Sequence, residues 1–450
     1  MDTRCSIFWH RRDLRTQDNA GLYHALKGEN PVIPIFIFDR HILDKLPSPE
    51  DARVEFIHQS LQELAKAYRE YGGDLRVFYG FPEEIWPQLL KDYSPAAVYT
   101  NRDYEPYAEE RDGAVAKILE DAGVAFHTFK DHVIFESHEV QKNDGGPYTV
   151  YTPYMRKWRA RLEDRKSSYE GQEISYFLKP YATEKYLNNL FPGASQVNFP
   201  SLEDMGFAPT SITIPPTSVQ RSLIKKYDKQ RNFPAVEGTS RLGIHFRHGT
   251  ISIREKALRA MDLNETYLKE LIWRDFYSNI LQAFPRVASE EFKKDYAGIP
   301  WRNDPEEFAA WCAGKTGVPI VDAGMRQLNQ SGFMHNRVRM IVASYLTKHL
   351  LIDWRWGEAY FADKLLDFEL ASNNGGWQWA AGCGTDAQPY FRIFNYESQQ
   401  KKFDPDYTYV KQWVPEYGTP EYPSAPLVEH KFGRERALEV YKAALAEARK

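Results

Sequence analysis

Cysteine is scarce in this 450-residue chain: Cys5, Cys312 and Cys383 are the three, and none forms a Cys-x-x-Cys pair. That excludes a disulfide framework and a thiolate zinc site, and it predicts a reducing, cytoplasmic setting. Histidine offers no substitute. His335 has no second histidine at useful spacing, and His245 and His248 stand without further ligands, so no metal is expected. Long apolar runs are missing as well, so no membrane-spanning helix is expected. The opening MDTRCSIFWHRRDLR lacks the apolar stretch of a signal peptide. Neither sign of charge dominates. A net charge of −4 excludes uniform attraction to nucleic acid but not a local basic groove. No Gly-x-Gly-x-x-Gly follows the first apolar run, which argues against a nicotinamide site.

Aromatic residues, by contrast, are plentiful, at 14% with 11 Trp and 28 Tyr. They build either a large aromatic core or stacking sites for ring-shaped ligands. The length favours two domains. Ser6–Trp9, Pro31–Phe38, Asp74–Tyr79 and Ala96–Thr100 read as strands. Helical periodicity covers Ala52–Tyr71, Pro82–Leu90 and Ala108–Ala122, and Ala125–Phe129 with Val133–Phe135 adds a further apolar segment. Alternation of this kind predicts an α/β domain over residues 1–135, with a parallel sheet covered by helices on both faces. Within it, HRRDLR (residues 10–15) reads as a solvated charged turn or as a site for an acidic group. Residues 136–215, rich in Pro, Tyr and Ser, read as a connector, and 216–450 as helical.

Four stretches of the helical part carry chemistry. Thr239, Ser240 and Arg241, followed by the N–H groups of Leu242 and Gly243, suit phosphate oxygens or simply cap a helix. In TYLKELIWRDF, Glu270, Trp273 and Arg274 share a helix face; either they meet a polar, stackable ligand or Glu270 pairs with Arg274. Gly332–Met340 also reads as helical, with Asn336, Arg339 and Met340 on one face and Arg337 pointing elsewhere. Residues 367–395 are the most unusual. Asp367 and Glu369 supply acceptors, Asn373-Asn374-Gly375-Gly376 permits close backbone approach, and Trp377 and Trp379 supply apolar faces. This stretch reads as a binding loop or as a loop capping a helical core.

Taken together, FWHRRDLRTQDNAGL, EGTSRL, ELIWRDFY, GIPW, GKTGVPIVDAGMRQL, GFMHNRVRM and ASNNGGWQWAAGCGTDAQPYFRIFN, in that order, resemble the DNA photolyase/cryptochrome family from end to end. The likeness is greatest to class I cyclobutane pyrimidine dimer photolyases. It implies a Rossmann-like α/β antenna-binding domain and an all-α FAD-binding catalytic domain. It implies light-driven repair, in which an electron from photoexcited FADH⁻ opens a flipped-out pyrimidine dimer and returns. On the matching positions, Tyr227, Thr239, Ser240, Leu242 and Arg274 are expected at the FAD phosphates and ribityl chain, and Arg241, Gly243 and Tyr267 are also expected to bind the cofactor. Asn336, Arg339, Asp367, Glu369 and Asn373 are expected around its rings. Where this chain has Gly243, family members often have Ser, which removes one hydroxyl contact. Glu270, Trp273, Asn336, Met340 and Trp379 are expected at the lesion, and Arg231, Arg337, Arg392, Lys401, Lys402 and Lys411 at DNA phosphates. Trp377, Trp354 and Trp301 match the family's tryptophan chain for flavin photoreduction. A monomer is expected.

Relatives with other roles differ at marked positions. Plant cryptochromes tend to have Asp, and animal ones Cys, where this chain has Asn373. Many also carry a long C-terminal extension, where this chain ends at YKAALAEARK. A (6-4) photolyase would show paired histidines near Asn336 and Met340, and the DASH type usually has Gln for Met340 and Tyr for Trp379. A second, antenna chromophore is expected to be a deazaflavin, a folate or a flavin, if there is one. NRDYEPYAEERD is more similar to the deazaflavin pattern.

Overall fold

The structure, a computed structural model, describes residues 4–193 and 199–450. By internal packing the chain divides into two compact units. One comprises Met1–Glu139, Trp158–Thr217 and Leu242–Arg259; the other comprises Val140–Lys157, Ser218–Arg241 and Ala260–Lys450. Among the described residues no helix is long and apolar enough to cross a membrane.

The first unit is built on five parallel strands, β1 (Ser6–His10), β2 (Val32–Asp39), β3 (Arg76–Gly80), β4 (Ala97–Asn101) and β5 (Ala125–Phe129), in the order β3-β2-β1-β4-β5. The expected α/β class is therefore what the chain adopts. Side chains alternate across the pleat. Phe8, Phe36 and Phe38 enter one core, while Ile7, Trp9, Ile33, Ile35 and Ile37 enter the core on the opposite face. Both faces being covered, β2 reads as a continuous apolar run. The structure adds two local details to that reading. Val133–Phe135 is buried but forms no strand, and Ala20–Leu26 is a helix with the Asn19 side chain accepting from the Leu22 N–H.

The HRRDLR segment is not a solvated turn. Asp13 and Arg15 are buried, His10 is fully buried, and besides local contacts they have partners from distant segments of the same unit. The Arg15 guanidinium donates to Asp131 at 2.7 Å; Arg254 pairs with Asp18 at 2.9 Å and with Asp131 at 2.7 Å. Asn101 Nδ2 donates to Asp13 Oδ2, and Arg11 pairs with Asp112. Spacing along the chain shows only the local contacts, His10 with Asp13 and Arg15 with Asp18 O; the partners Tyr68, Asn101, Asp112 and Asp131 are non-local.

The second unit is helical, around a core that includes Trp311, Trp354 and Trp377. Residues 367–395 do not form a loop throughout. Leu370–Ala381 is a helix despite two adjacent glycines, each of which weakens a helix by about 1 kcal/mol relative to Ala. Packing supplies the reason. A Cβ on Gly375 would fall 2.2 Å from the Tyr277 ring, so the close approach requires glycine. Gln378 donates to Asn374 Oδ1, Val287 O and Glu290 O, each at 3.0 Å, and accepts from Phe292 N–H at 2.8 Å. At the far end, Gly382 takes φ 91°, and Lys348 Nζ and Tyr441 OH donate to Ala381 O at 2.7 and 3.0 Å. Helix assignment also changes at Gly332–His335. Gly332 (φ 63°) ends the Pro319–Ser331 helix, and His335 caps the next, Asn336–Ser344, by accepting from Arg337 N–H.

Candidate active site

The Leu370–Ala381 helix is packed by Glu265–Ala283, Asn336–Ser344 and Trp354–Lys364. Three of the sequence-predicted motifs are thereby brought together in one unit. Their charged groups do not pair along their own helices. Arg274 Nη2 donates to Glu369 Oε1 at 2.8 Å, across two helices, and Ser372 Oγ donates to Glu369 Oε2 at 3.0 Å. Glu270 pairs with Arg231 instead of Arg274, so the simple i,i+4 ion pair does not form. Arg339 Nη2 lies 3.0 and 2.9 Å from the two oxygens of Asp367, while its Nε donates to Met334 O at 2.7 Å.

Asn373 sits one turn into the helix. Its Nδ2 donates to Glu358 O at 3.0 Å and to Glu358 Oε1 at 2.9 Å. The side-chain orientation is thus fixed from the Trp354–Lys364 helix, and the carbonyl Oδ1 is left to accept from another donor. Burial raises the Glu358 carboxyl above its ordinary value, and the Asn373 hydrogen bond offsets part of that rise. One turn further, Gly376 is exposed, with nothing within 4 Å of where a Cβ would stand. A free amide oxygen, an open glycine on the same helix side, two carboxylates and two guanidiniums fit a flat, polar-edged ring with a charged tail. The residues present therefore fit a flavin nucleotide.

The Thr239–Arg241 segment lies beside Gly238, which backs onto Gln230. Tyr267 OH donates to Ser240 Oγ at 3.2 Å, and Tyr227 meets Tyr267 edge-on at 5.1 Å. Arg241 is exposed, at φ 51°, pairs with Glu237, and lies over the Phe333 ring. Leu242 is buried and, with the six-residue Gly243–His248 helix that it precedes, belongs to the first unit.

Trp273 is half-buried, and its ring contacts Tyr151, Phe276 and Tyr277. Trp379 is half-buried against the helical core. Arg337, expected to point away from Met340, reaches back to it, with Nη1 3.7 Å from Sδ. Its Nη2 donates to Asn232 Oδ1 at 2.8 Å, and its guanidinium lies 4.4 Å over Phe403. Lys402 Nζ stands 5.3 Å over the same Phe403 ring. Arg392, Lys401, Lys402 and Lys411 are exposed, as is Asn336. His335, at the start of the Asn336–Ser344 helix, has its pKa lowered to about 4, first by burial and then by Arg339, Arg337, Arg231 and Arg241. It acts there as a neutral helix cap.

Trp354 and Trp377 are buried, and Trp301 packs on the same core. Trp377 crosses the helix that begins at Trp354, since a Cβ on Gly357 would fall 2.1 Å from its ring. Trp354 Nε1 donates to Glu291 at 3.4 Å, and Trp301 meets Tyr441 edge-on at 5.9 Å. Sequence reasoning did not find Glu358, Phe403, Tyr151 or Trp311, whose ring lies edge-on to Trp377 at 6.0 Å. A lone aromatic or carboxylate carries no pattern of its own; only the fold shows its neighbours.

Residues 6–171 match the family model for DNA photolyase, and residues 267–421 match that for the FAD binding domain of DNA photolyase. The chain is 39% identical to the deoxyribodipyrimidine photo-lyase of Halobacterium salinarum, covering 97% of this chain and 99% of that one. It is 36% identical to the Escherichia coli deoxyribodipyrimidine photo-lyase, over 97% and 98%. Among solved structures, a class III photolyase from Agrobacterium tumefaciens aligns with a TM-score of 0.82 at 34% identity, over 99% and 98% of the two chains. An archaeal photolyase from Sulfolobus tokodaii, solved with two FAD molecules, aligns at 0.80 and 32%, over 97% and 99%. With relatives of this identity along nearly its whole length, the chain is an enzyme of the DNA photolyase family, and its helical part contains that family's FAD-binding domain.

Proposed function

We propose that the enzyme repairs cyclobutane pyrimidine dimers in DNA under light, as a cytoplasmic monomer with FAD in the helical unit. One observation carries this reading: the Glu265–Ala283 helix holds Glu270 and Trp273 within a turn of Arg274, which is tied to Glu369 at the foot of the Asn373 helix. Lesion-facing and cofactor-facing groups thus share one helix turn, about 5.4 Å of axis, as direct transfer to a bound dimer requires. Tyr227, Thr239, Ser240, Arg241, Tyr267 and Arg274 would hold the phosphate and ribityl end. Asn336, Arg339, Asp367, Glu369 and Asn373 would hold the rings. What the cofactor supplies when bound is a light-excited electron, lent and returned with no net redox change.

The chain's own residues do the rest. Trp273, Trp379 and Met340 give apolar surface to the fused bases, and Glu270 and Asn336 hydrogen-bond their polar edges. Arg231, Arg337, Arg392, Lys401, Lys402 and Lys411 hold phosphates without reading sequence. Glu358 orients the Asn373 amide so that Oδ1 accepts from the ring edge. Photolyases are themselves a standard example of enzymes that flip a base out of the duplex, and the damaged bases would reach the cofactor by that known route. Trp377, Trp354 and Trp301 relay electrons inward to restore the reduced cofactor, and an antenna chromophore of deazaflavin, folate or flavin type would sit in the parallel-sheet unit.

The test is repair of a thymine-dimer oligonucleotide in light and in dark, with the absorption spectrum of the purified protein. Repair confined to light, with a flavin spectrum released on denaturation, is the expected result. Equal repair in both conditions would remove the photochemical reading. Trp301→Phe should slow photoreduction of oxidised protein yet spare repair by chemically reduced protein; loss of both would contradict a relay role.

A further inference from the structure

The Tyr151 ring lies parallel to Trp273, with centroids 3.7 Å apart and planes 5° from each other. Tyr151 is 7% exposed, whereas Trp273 is half-buried. One indole face is therefore covered by a buried ring, Phe276 meets the indole edge-on at 5.5 Å, Tyr277 lies tilted at 5.4 Å, and the rest of the half-buried ring is what a ligand can reach. Tyr151 is itself held on three sides. Its hydroxyl donates to Lys269 O at 2.8 Å, one turn before Trp273 on the same helix. Its backbone N–H donates to Asp386 Oδ2 at 3.2 Å. Next to that, Thr385 Oγ1 donates to Thr149 O at 2.7 Å. Thr385 and Asp386 (φ 45°) belong to the segment that follows the Trp379 helix. Residues 149–151 thus tie the element bearing Trp273 to the element bearing Trp379.

We propose that Tyr151 is a positioning residue for dimer recognition; this rests on the lesion-binding reading above. By stacking on one face, it holds the Trp273 indole flat and leaves a single platform for the fused pyrimidines. The backbone at residues 149 and 151, bonded to Thr385 and Asp386, seats the Tyr151 ring whatever side chain stands there, so the ring's own contribution is the stack. A pre-set ring loses little freedom on binding, whereas a ring free to turn loses it when the dimer arrives. Undamaged DNA, held through phosphates, does not depend on that platform.

Binding of a thymine-dimer oligonucleotide and of its undamaged twin to the FAD-loaded protein in the dark tests this. Tyr151→Leu should weaken dimer binding by about tenfold, the scale of one lost stacking contact, while undamaged binding and FAD stoichiometry hold. The loss should fall on Kd and not on the repair rate at saturating DNA. Tyr151→Phe, which keeps the stack, should return the dimer Kd to within about twofold of wild type. In a Trp273→Ala background, Tyr151→Leu should add less than about a factor of two, because the group it positions is gone. If Tyr151→Leu does not accumulate as folded protein, Tyr151→Met, which keeps bulk without a ring, carries the same expectation. A wild-type dimer Kd in these ringless variants, or an undiminished effect in the Trp273→Ala background, overturns the positioning role alone. Absence of dimer preference in the wild-type protein overturns the lesion reading, and this inference with it, before any variant is made.

Discussion

In the first unit, Asp18 and Asp131 face Arg15 and Arg254, and all four side chains are 8% exposed or less. In the second, Arg231 with Glu270 and Arg339 with Asp367 keep 19–30% of their side-chain surface open. The chemistry is the same, but the first set is closed and the second is accessible. A closed set has partners only within the protein, so it can act on folding and on nothing outside. An open set keeps lone pairs and N–H groups within reach of a ligand. Charge density along the sequence does not separate the two cases; burial does.

Breaking the closed set should give the largest effect. Burial alone would raise the Asp131 carboxyl, but the Arg15 and Arg254 guanidiniums outweigh it and hold the group well below the usual carboxylate range. Its folded-state pKa being depressed, it contributes stability above its unfolded value, near 3.9, and loses it as pH falls towards the folded value. Asp131→Ala leaves two buried guanidiniums short of a partner and should cost about 3–5 kcal/mol. Urea denaturation of the full chain at neutral pH measures it. A cost under about 1 kcal/mol would mean that this set is solvated after all.

That cluster also marks where sequence reading stops. The parallel sheet was legible because buried strands leave apolar runs separated by helical periodicity, as at Val32–Asp39. The candidate site was legible in composition: Asp367, Glu369, Asn373 and Trp379 stand in one unusual stretch. Its conformation was not, because glycine propensity argues against a helix that the Tyr277 ring and the Gln378 network impose from outside. Pairing was legible least of all. Glu270 and Arg274 are ideally spaced on their helix, yet each takes a partner from elsewhere in the unit. Tyr151 gave no signal, since its stack joins segments far apart in the chain.

An open cation should show itself in binding. Arg337 is tied on one side to Asn232 and lies over Phe403, close to Lys402. Burial and then Arg231 lower its pKa, an environment that favours an incoming anion. Arg337→Ala should weaken damaged and undamaged DNA alike and reduce the slope of log K against log salt by about 0.9, one phosphate contact. An unchanged slope would show that the guanidinium serves Phe403 and Met340 packing instead.

Glu358 stands between the two cases, which makes it the finest discriminator. It is half-buried, and its one described side-chain partner is the neutral Asn373 amide. Burial raises its carboxyl. Between the ordinary and the raised value the folded chain binds more protons than the unfolded chain, so stability falls as pH rises through that window. Glu358→Gln removes the titration and keeps an oxygen to accept from Asn373 Nδ2. The variant should therefore gain on wild type as pH rises from about 4.5, then run parallel to it. The effect should be smaller than either of the others, read as the difference between urea midpoints across pH. Glu358→Leu removes the side-chain acceptor as well, so it should share the stability trend while leaving the Asn373 amide held only by the backbone carbonyl of residue 358. If Gln and Leu photoreduce flavin at the same rate, the Glu358 side-chain oxygen does not orient Asn373, and the backbone carbonyl of residue 358 suffices to hold it.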